Sequence, residues 1–264
     1  MMMYTISKNL KLTSIILMLT GFIGLTYGFL SAPSNYQEAQ EMYPEYGHSN
    51  NEVIKVTDNS NDKVYNVQHD ENHKEHLLHK LQNRPWAALY VAALFFFFIS
   101  LGTIAFYAIQ RASQSGWSPV LYRVMEGITA YLLPGGIIVF VILLLSCLHF
   151  NHLFIWMDAD VVAEDKIIRD KVGYLNIPFF LARALFFIFG WVLYRYFSRK
   201  FSLAQDKAND IVNHKRNFKI SAAFLVFYIV TESIMSWDWI MSIDPHWFST
   251  LFGWYVFALS LIHI

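Results

Sequence analysis

The sequence predicts an all-α polytopic membrane protein with six transmembrane helices, and three observations carry that expectation. The 264 residues are 55% hydrophobic and 17% aromatic. Only 15% are charged, against about a quarter in a soluble domain. The apolar residues also fall in runs long enough to cross a bilayer. A helix rising about 1.5 Å per residue needs about 20 of them to span a hydrocarbon layer about 30 Å thick.

The runs cover residues 12–30, 86–109, 128–148, 177–196, 218–237 and 247–264. Trp86, Trp117, Trp156, Trp237 and Trp247 stand near their ends, where amphipathic rings favour the headgroup layer. The first run follows Lys8 and Lys11 and is about 19 residues long. That exceeds a signal-peptide core of about 7–15 residues, so a retained helix is expected. Residues 1–34 then form an N-terminal transmembrane helix, 35–84 a polar periplasmic loop, and 85–264 a five-helix transmembrane region.

Formal net charge is zero. No basic stripe of the kind that binds nucleic acid is present. The single cysteine, Cys147, lies in the third run. It excludes an intrachain disulfide, a cysteine-ligated zinc finger and an iron–sulfur cluster held by this chain alone. There is no CxxCH haem-attachment motif. No histidine falls near the middle of a run, so no haem is expected within the chain.

Basic residues set the orientation. With the N-terminus cytoplasmic, the inner segments hold Lys8, Lys11, Arg111, Arg123, Arg195, Arg199, Lys200, Lys207, Lys215, Arg216 and Lys219. The two short outer loops hold only Lys166, Arg169 and Lys171. Orientation follows the short loops, which predicts N-in with the 149–176 and 238–246 loops periplasmic.

The 35–84 segment carries His48, His69, His73, His76 and His79. The last three recur every third residue, close enough on a helix for neighbours to share a metal. With nothing nearby to complete a site, a solvated lead-in to the second helix is the better reading. In the third run, Pro134-Gly135-Gly136 interrupts the helix. Such a step lines a site in some transporters; a kink absorbed by neighbouring helices is favoured here.

Ionisable residues in spans are costly and mark candidate sites. His149 and His152 close the third run, with Asp158 just beyond; Arg183 lies inside the fourth and Glu232 inside the fifth. Arg183 and Glu232 fall at matching depth, very roughly 8–9 Å below the outer boundary, and are expected to pair. The pair is either a helix-registering ion pair or part of a proton path opening near Asp238, with Glu232 as the relay. Asp238, Asp244 and His246 sit among aromatic residues in the turn after the fifth run. Asp244 followed by Pro245 reads as the N-cap of the sixth helix.

Three stretches carry a family resemblance: SGWSPVLYRVMEGITAYLLPGG (115–136), KVGYLNIPFFLARA (171–184) and SWDWIMSIDPHWFSTLFG (236–253). Together they are similar to the ActF subunit of bacterial alternative complex III, a relative of the NrfD/PsrC membrane subunits. The resemblance covers about residues 85–258. It implies a bacterial inner-membrane subunit of a quinol:cytochrome c oxidoreductase. Such a subunit has no redox centre of its own and contributes architecture, proton conduction or quinone interaction. The implied partners are an ActC-like membrane subunit, an iron–sulfur subunit and a multihaem cytochrome c subunit, which carry the clusters and haems. Members of that family are longer than this chain, which implies a truncated form of a larger helical bundle. Two other classes fit the residues alone: a secondary transporter, which would use the helix break and the buried charges, and a purely structural assembly subunit.

Overall fold

The computed structural model describes residues 7–42 and 78–262, and every regular element among them is helical. His48, His69, His73 and His76 lie outside the described residues. The chain divides into two compact units, residues 1–89 and 90–264.

In the first unit, α1 (Lys8–Leu30) starts at Ser7, whose hydroxyl accepts the Leu10 N–H at 3.3 Å. No residue of α1 is buried, which leaves its apolar side chains for lipid. A short helix, α2 (Tyr36–Met42), follows. Glu38 Oε2 accepts from the Ser34 N–H and hydroxyl, each at 2.9 Å. These donors, the backbone N–H first, hold the Glu38 carboxyl below its ordinary value. The loop is tied to the start of the next helix by Gln82, which donates to the Pro33 carbonyl at 3.1 Å, and by the edge-on contact of Phe29 with Trp86.

The remaining helices are α3 (Arg84–Ala112), α4 (Tyr122–Ile128), α5 (Leu132–Cys147), α6 (Ala159–Glu164), α7 (Lys166–Asp170), α8 (Ile177–Gln205), α9 (Val212–Trp239) and α10 (Phe252–Ile262). Among the described residues, five helical segments are long and apolar enough to cross a membrane: α1, α3, α4 with α5, α8, and α9 with its short extension to Ile243. The sixth expected span appears as α10, whose 11 described residues rise about 16 Å, short of a hydrocarbon core.

Within the second unit, α8 and α9 pack along one another, α5 lies against α8, and α10 against α9. The core is aromatic. Phe97, Trp191 and Trp239 meet with ring centres 6.0–6.2 Å apart. The Tyr90 hydroxyl donates to the Trp239 carbonyl at 2.8 Å, so the packed centre has a polar anchor. Outward-facing positions such as Phe96, Phe186, Phe189 and Val226 are apolar too, the all-round hydrophobicity of helices bathed in lipid.

The Pro134 break is a local tightening. A 3-10 turn at Thr129–Tyr131 joins α4 to α5, which accommodates a residue lacking an N–H. Gly136 follows because a Cβ there would lie 3.0 Å from Ile188, so the glycine lets α5 approach α8. The interruption is thus a 3-10 turn within one helical span, and α4 extends the third span back to Tyr122.

Candidate functional site at the Asp238 end of the bundle

Asn176 caps α8 by accepting the Phe179 N–H at 3.0 Å, with Pro178 in the first turn. That start fixes Arg183 nearly two turns in, where it is 8% exposed. Its partner is Asp238 rather than the expected Glu232. Arg183 Nε donates to Asp238 Oδ2 at 2.6 Å and Nη2 to Oδ1 at 3.0 Å, a two-pronged pair. Nη1 donates to the Tyr174 carbonyl at 3.3 Å, and the guanidinium lies 4.2 Å from the ring centres of both Tyr174 and Phe179. Asp238 is fully buried.

The correction has a geometric cause. Side chains tilt toward the N-terminus of their own helix. The N-terminus of α8 lies at this end of the bundle, so Arg183 reaches outward, toward Asp238. Glu232 sits on α9, which runs the opposite way, so its side chain tilts deeper. The six residues from Glu232 to Asp238 also turn about 240° around the helix, placing the two acids on different faces. Helix α9 continues through Trp239, which makes Asp238 a helical residue rather than a loop residue. Glu232 is 3% exposed, and its Oε1 has no hydrogen-bond partner among the described residues.

Above the pair, the loop before α8 meets the loop after α9. Lys171 donates to the Pro245 carbonyl at 2.5 Å. His246 Nε2 lies 2.5 Å from Asp165 Oδ2, while its Nδ1 is 3.7 Å from Asp244. Asp244 is exposed and accepts the His246 N–H at 3.2 Å. It does not cap α10, which begins only at Phe252: the contacts of Pro245 and His246 with the 165–171 segment tie the chain down before a helix can start.

Burial first, and then the charge of Asp238, pushes the Tyr174 phenol well above its ordinary value, so it stays a protonated donor beside the carboxylate. Against the two loops lies a cavity of about 440 Å³, walled by Tyr174, Leu175, Trp237, Met241, Trp247 and Phe248, with Lys171 at its edge. The Trp237 indole N–H is buried without an acceptor among the described residues.

The Asp165 contact has a pH consequence. Desolvation pushes this carboxyl up, but the N–H groups of Ile167 and Ile168 and the His246 ring outweigh it and hold the carboxyl below its ordinary value. A depressed carboxyl contributes stability above its unfolded value, and that contribution is lost as pH falls through the folded one. Asp165→Asn is therefore expected to flatten the acid limb of a melting profile recorded below about pH 4, with little change at neutral pH. An unchanged acid limb would remove the contact from the stability of the loop pair.

The other candidates separate. His149 is exposed at φ 59° and ends α5 in the left-handed region, while the Phe150 N–H returns to the Leu145 carbonyl at 3.1 Å, as at other helix C-termini. Asp158 caps α6 through the Asp160 N–H at 3.2 Å. His152 is half-buried in the loop between them. Arg183 and Asp238 are instead engaged with each other and with Tyr174. Among the described residues, no group of three or more His, Cys, Asp or Glu side chains is placed to hold a metal.

At the opposite end lies a polar cluster that sequence reasoning missed. The buried Tyr107 hydroxyl accepts from Arg111 Nε at 3.0 Å and from Asn217 Nδ2 at 3.3 Å, and donates to Glu126 Oε1 at 3.3 Å. Arg111 Nη2 donates to Ser202, Arg123 pairs with Glu126 Oε2 at 2.7 Å and with Asp206, and Arg195 Nε donates to Thr129 at 3.3 Å. A signal existed. Tyr107 and Arg111, Tyr122 and Glu126, and Asn217 and Ser221 are each four apart, on one helix face, at the margins of apolar runs.

No family model matches the chain, and no curated protein matches it.

Proposed function

We propose that this chain is a membrane subunit of a quinol-oxidising electron-transfer complex of the alternative complex III type. In this reading it sits in the bacterial inner membrane with the Asp238 end periplasmic. One observation supports it above the rest: a cavity of about 440 Å³ with aromatic walls adjoins a buried carboxylate, guanidinium and phenol at the same end of the bundle. The walls suit the flat ring of a quinol. Tyr174 and Lys171 offer hydrogen bonds to its oxygens, and Asp238 lies directly behind Tyr174 as a carboxylate for proton exchange. The electrons would leave to iron–sulfur and haem centres on partner subunits, since this chain is read as holding none.

Glu232 is the proposed relay onward from that end. Its buried, unpartnered oxygen is a costly feature for a group with no role. The test begins with affinity purification from native membranes, in which the chain should bring down a multihaem cytochrome and an iron–sulfur protein together with quinol oxidation activity. Glu232→Gln should leave assembly near normal and slow turnover per assembled complex by about a hundredfold, the lower range of proton-transfer effects. A chain isolated without redox partners would overturn the complex; wild-type turnover and proton release in the Gln variant would overturn the relay alone.

A further inference from the structure

We infer that the Arg195–Arg199 face at the Glu126 end of the bundle binds the phosphate of an anionic phospholipid. The two arginines stand four residues apart on α8, on one face of the helix. The apolar run of this helix ends at Tyr196, so the pair straddles the step from hydrocarbon to headgroups. Arg195 is half-buried and held by Thr129 through Nε at 3.3 Å, while Arg199 is exposed. Among the described residues, neither lies within ion-pair distance of a carboxylate.

The nearby acids are already engaged. Glu126 takes Tyr107 on one oxygen and Arg123 on the other, and Asp206 takes Arg123. Arg111 is held by Tyr107 and Ser202 and lies 3.8 Å over the Tyr122 ring. The cluster therefore holds the cations Arg111, Arg123, Arg195 and Arg199 against the anions Glu126 and Asp206, an excess of positive charge at a membrane edge. Like charges one helical turn apart repel unless an anion lies between them, and a guanidinium fork matches phosphate oxygens.

A cleft lined by Tyr107, Glu126, Thr129, Ser198 and the two arginines has room inside for only about 10 Å³, roughly one water, and its carboxylate is already taken by Tyr107 and Arg123. The phosphate accordingly sits at its mouth, on Arg199 and the outer edge of Arg195. Val124, Ile128 and Tyr196, next in the chain to Arg123, Thr129 and Arg195, are exposed and offer apolar surface to acyl chains. That surface favours a lipid over free phosphate as the source of the anion, in keeping with basic clefts between spanning helices elsewhere.

The test is native mass spectrometry of the full chain in detergent, titrated with phosphatidylglycerol or with phosphatidylcholine of the same acyl chains. Phosphatidylglycerol should bind about tenfold more tightly. The Arg195→Gln, Arg199→Gln double variant should lose that preference, and a Lys207→Gln, Lys215→Gln control should keep it. The Arg195→Lys, Arg199→Lys variant retains charge and should keep part of it, which separates loss of the site from loss of the fold. Equal binding of the two lipids, or a preference that survives the glutamine pair, would overturn the inference. Competition by millimolar inorganic phosphate would overturn the lipid assignment and leave a free-anion site.

Discussion

Arg183→Leu is expected to destabilise the folded protein by about 3–5 kcal/mol, and Asp238→Leu by a similar amount, because each leaves the other charge buried and alone. The pair is well placed to show this: it is two-pronged at 2.6 and 3.0 Å, with Asp238 fully buried and Arg183 nearly so. The combined Arg183→Leu, Asp238→Leu change should recover most of the loss, since removing both charges also removes the cost of burying them. Adding Glu232→Leu to Arg183→Leu should recover much less, because Glu232 faces away from Arg183. Unfolding of the purified variants in mixed micelles, followed to the midpoint, reads all four. Rescue by Glu232→Leu equal to that by Asp238→Leu would mean that Arg183 exchanges between the two acids and that the pair described above is only one of its states.

Tyr107→Phe should have the next largest effect on stability, a loss of about 2–4 kcal/mol. One hydroxyl there serves three groups, Arg111, Asn217 and Glu126, and the variant strips a hydrogen bond from each while changing the volume of the core by a single oxygen. Asn217 keeps its bonds with Ser198, Glu126 keeps Arg123, and Arg111 keeps Ser202 and the Tyr122 ring, but the Arg111 bond, at 3.0 Å, is the shortest of the three lost. In a double-mutant cycle, Tyr107→Phe and Arg111→Leu should therefore be strongly non-additive. Additive losses would show that the hydroxyl acts on Arg111 no more than on any distant residue, and that the cluster is a set of separate contacts.

Much of the architecture was legible because lipid makes strict demands. A chain in hydrocarbon must satisfy its backbone within helices, so apolar length alone located α1, α3, α5, α8 and α9. The same rule marked Arg183 and Glu232 as costly. It missed Glu126 for a local reason: the apolar run begins at Ile128, whereas the helical span begins at Tyr122 and turns its first polar residues inward, where hydropathy cannot find them.

What only the tertiary structure decided was which charge meets which. Depth along a helix can be counted from the sequence, and the count put Arg183 level with Glu232. The tilt of a side chain follows from its own helix, but the face it presents to a neighbour depends on how α8 and α9 are rotated against one another. That rotation is set by the packing of Trp191, Trp239 and Phe97 around a common centre. Likewise Asp244-Pro245 carries the local signature of a helix cap, and the contacts of Lys171 and Asp165 across the loops override it. The sequence by itself determined the helices and the residues too costly to be idle. Their pairing waited on packing, because contacts between helices depend on azimuth, which no single helix encodes.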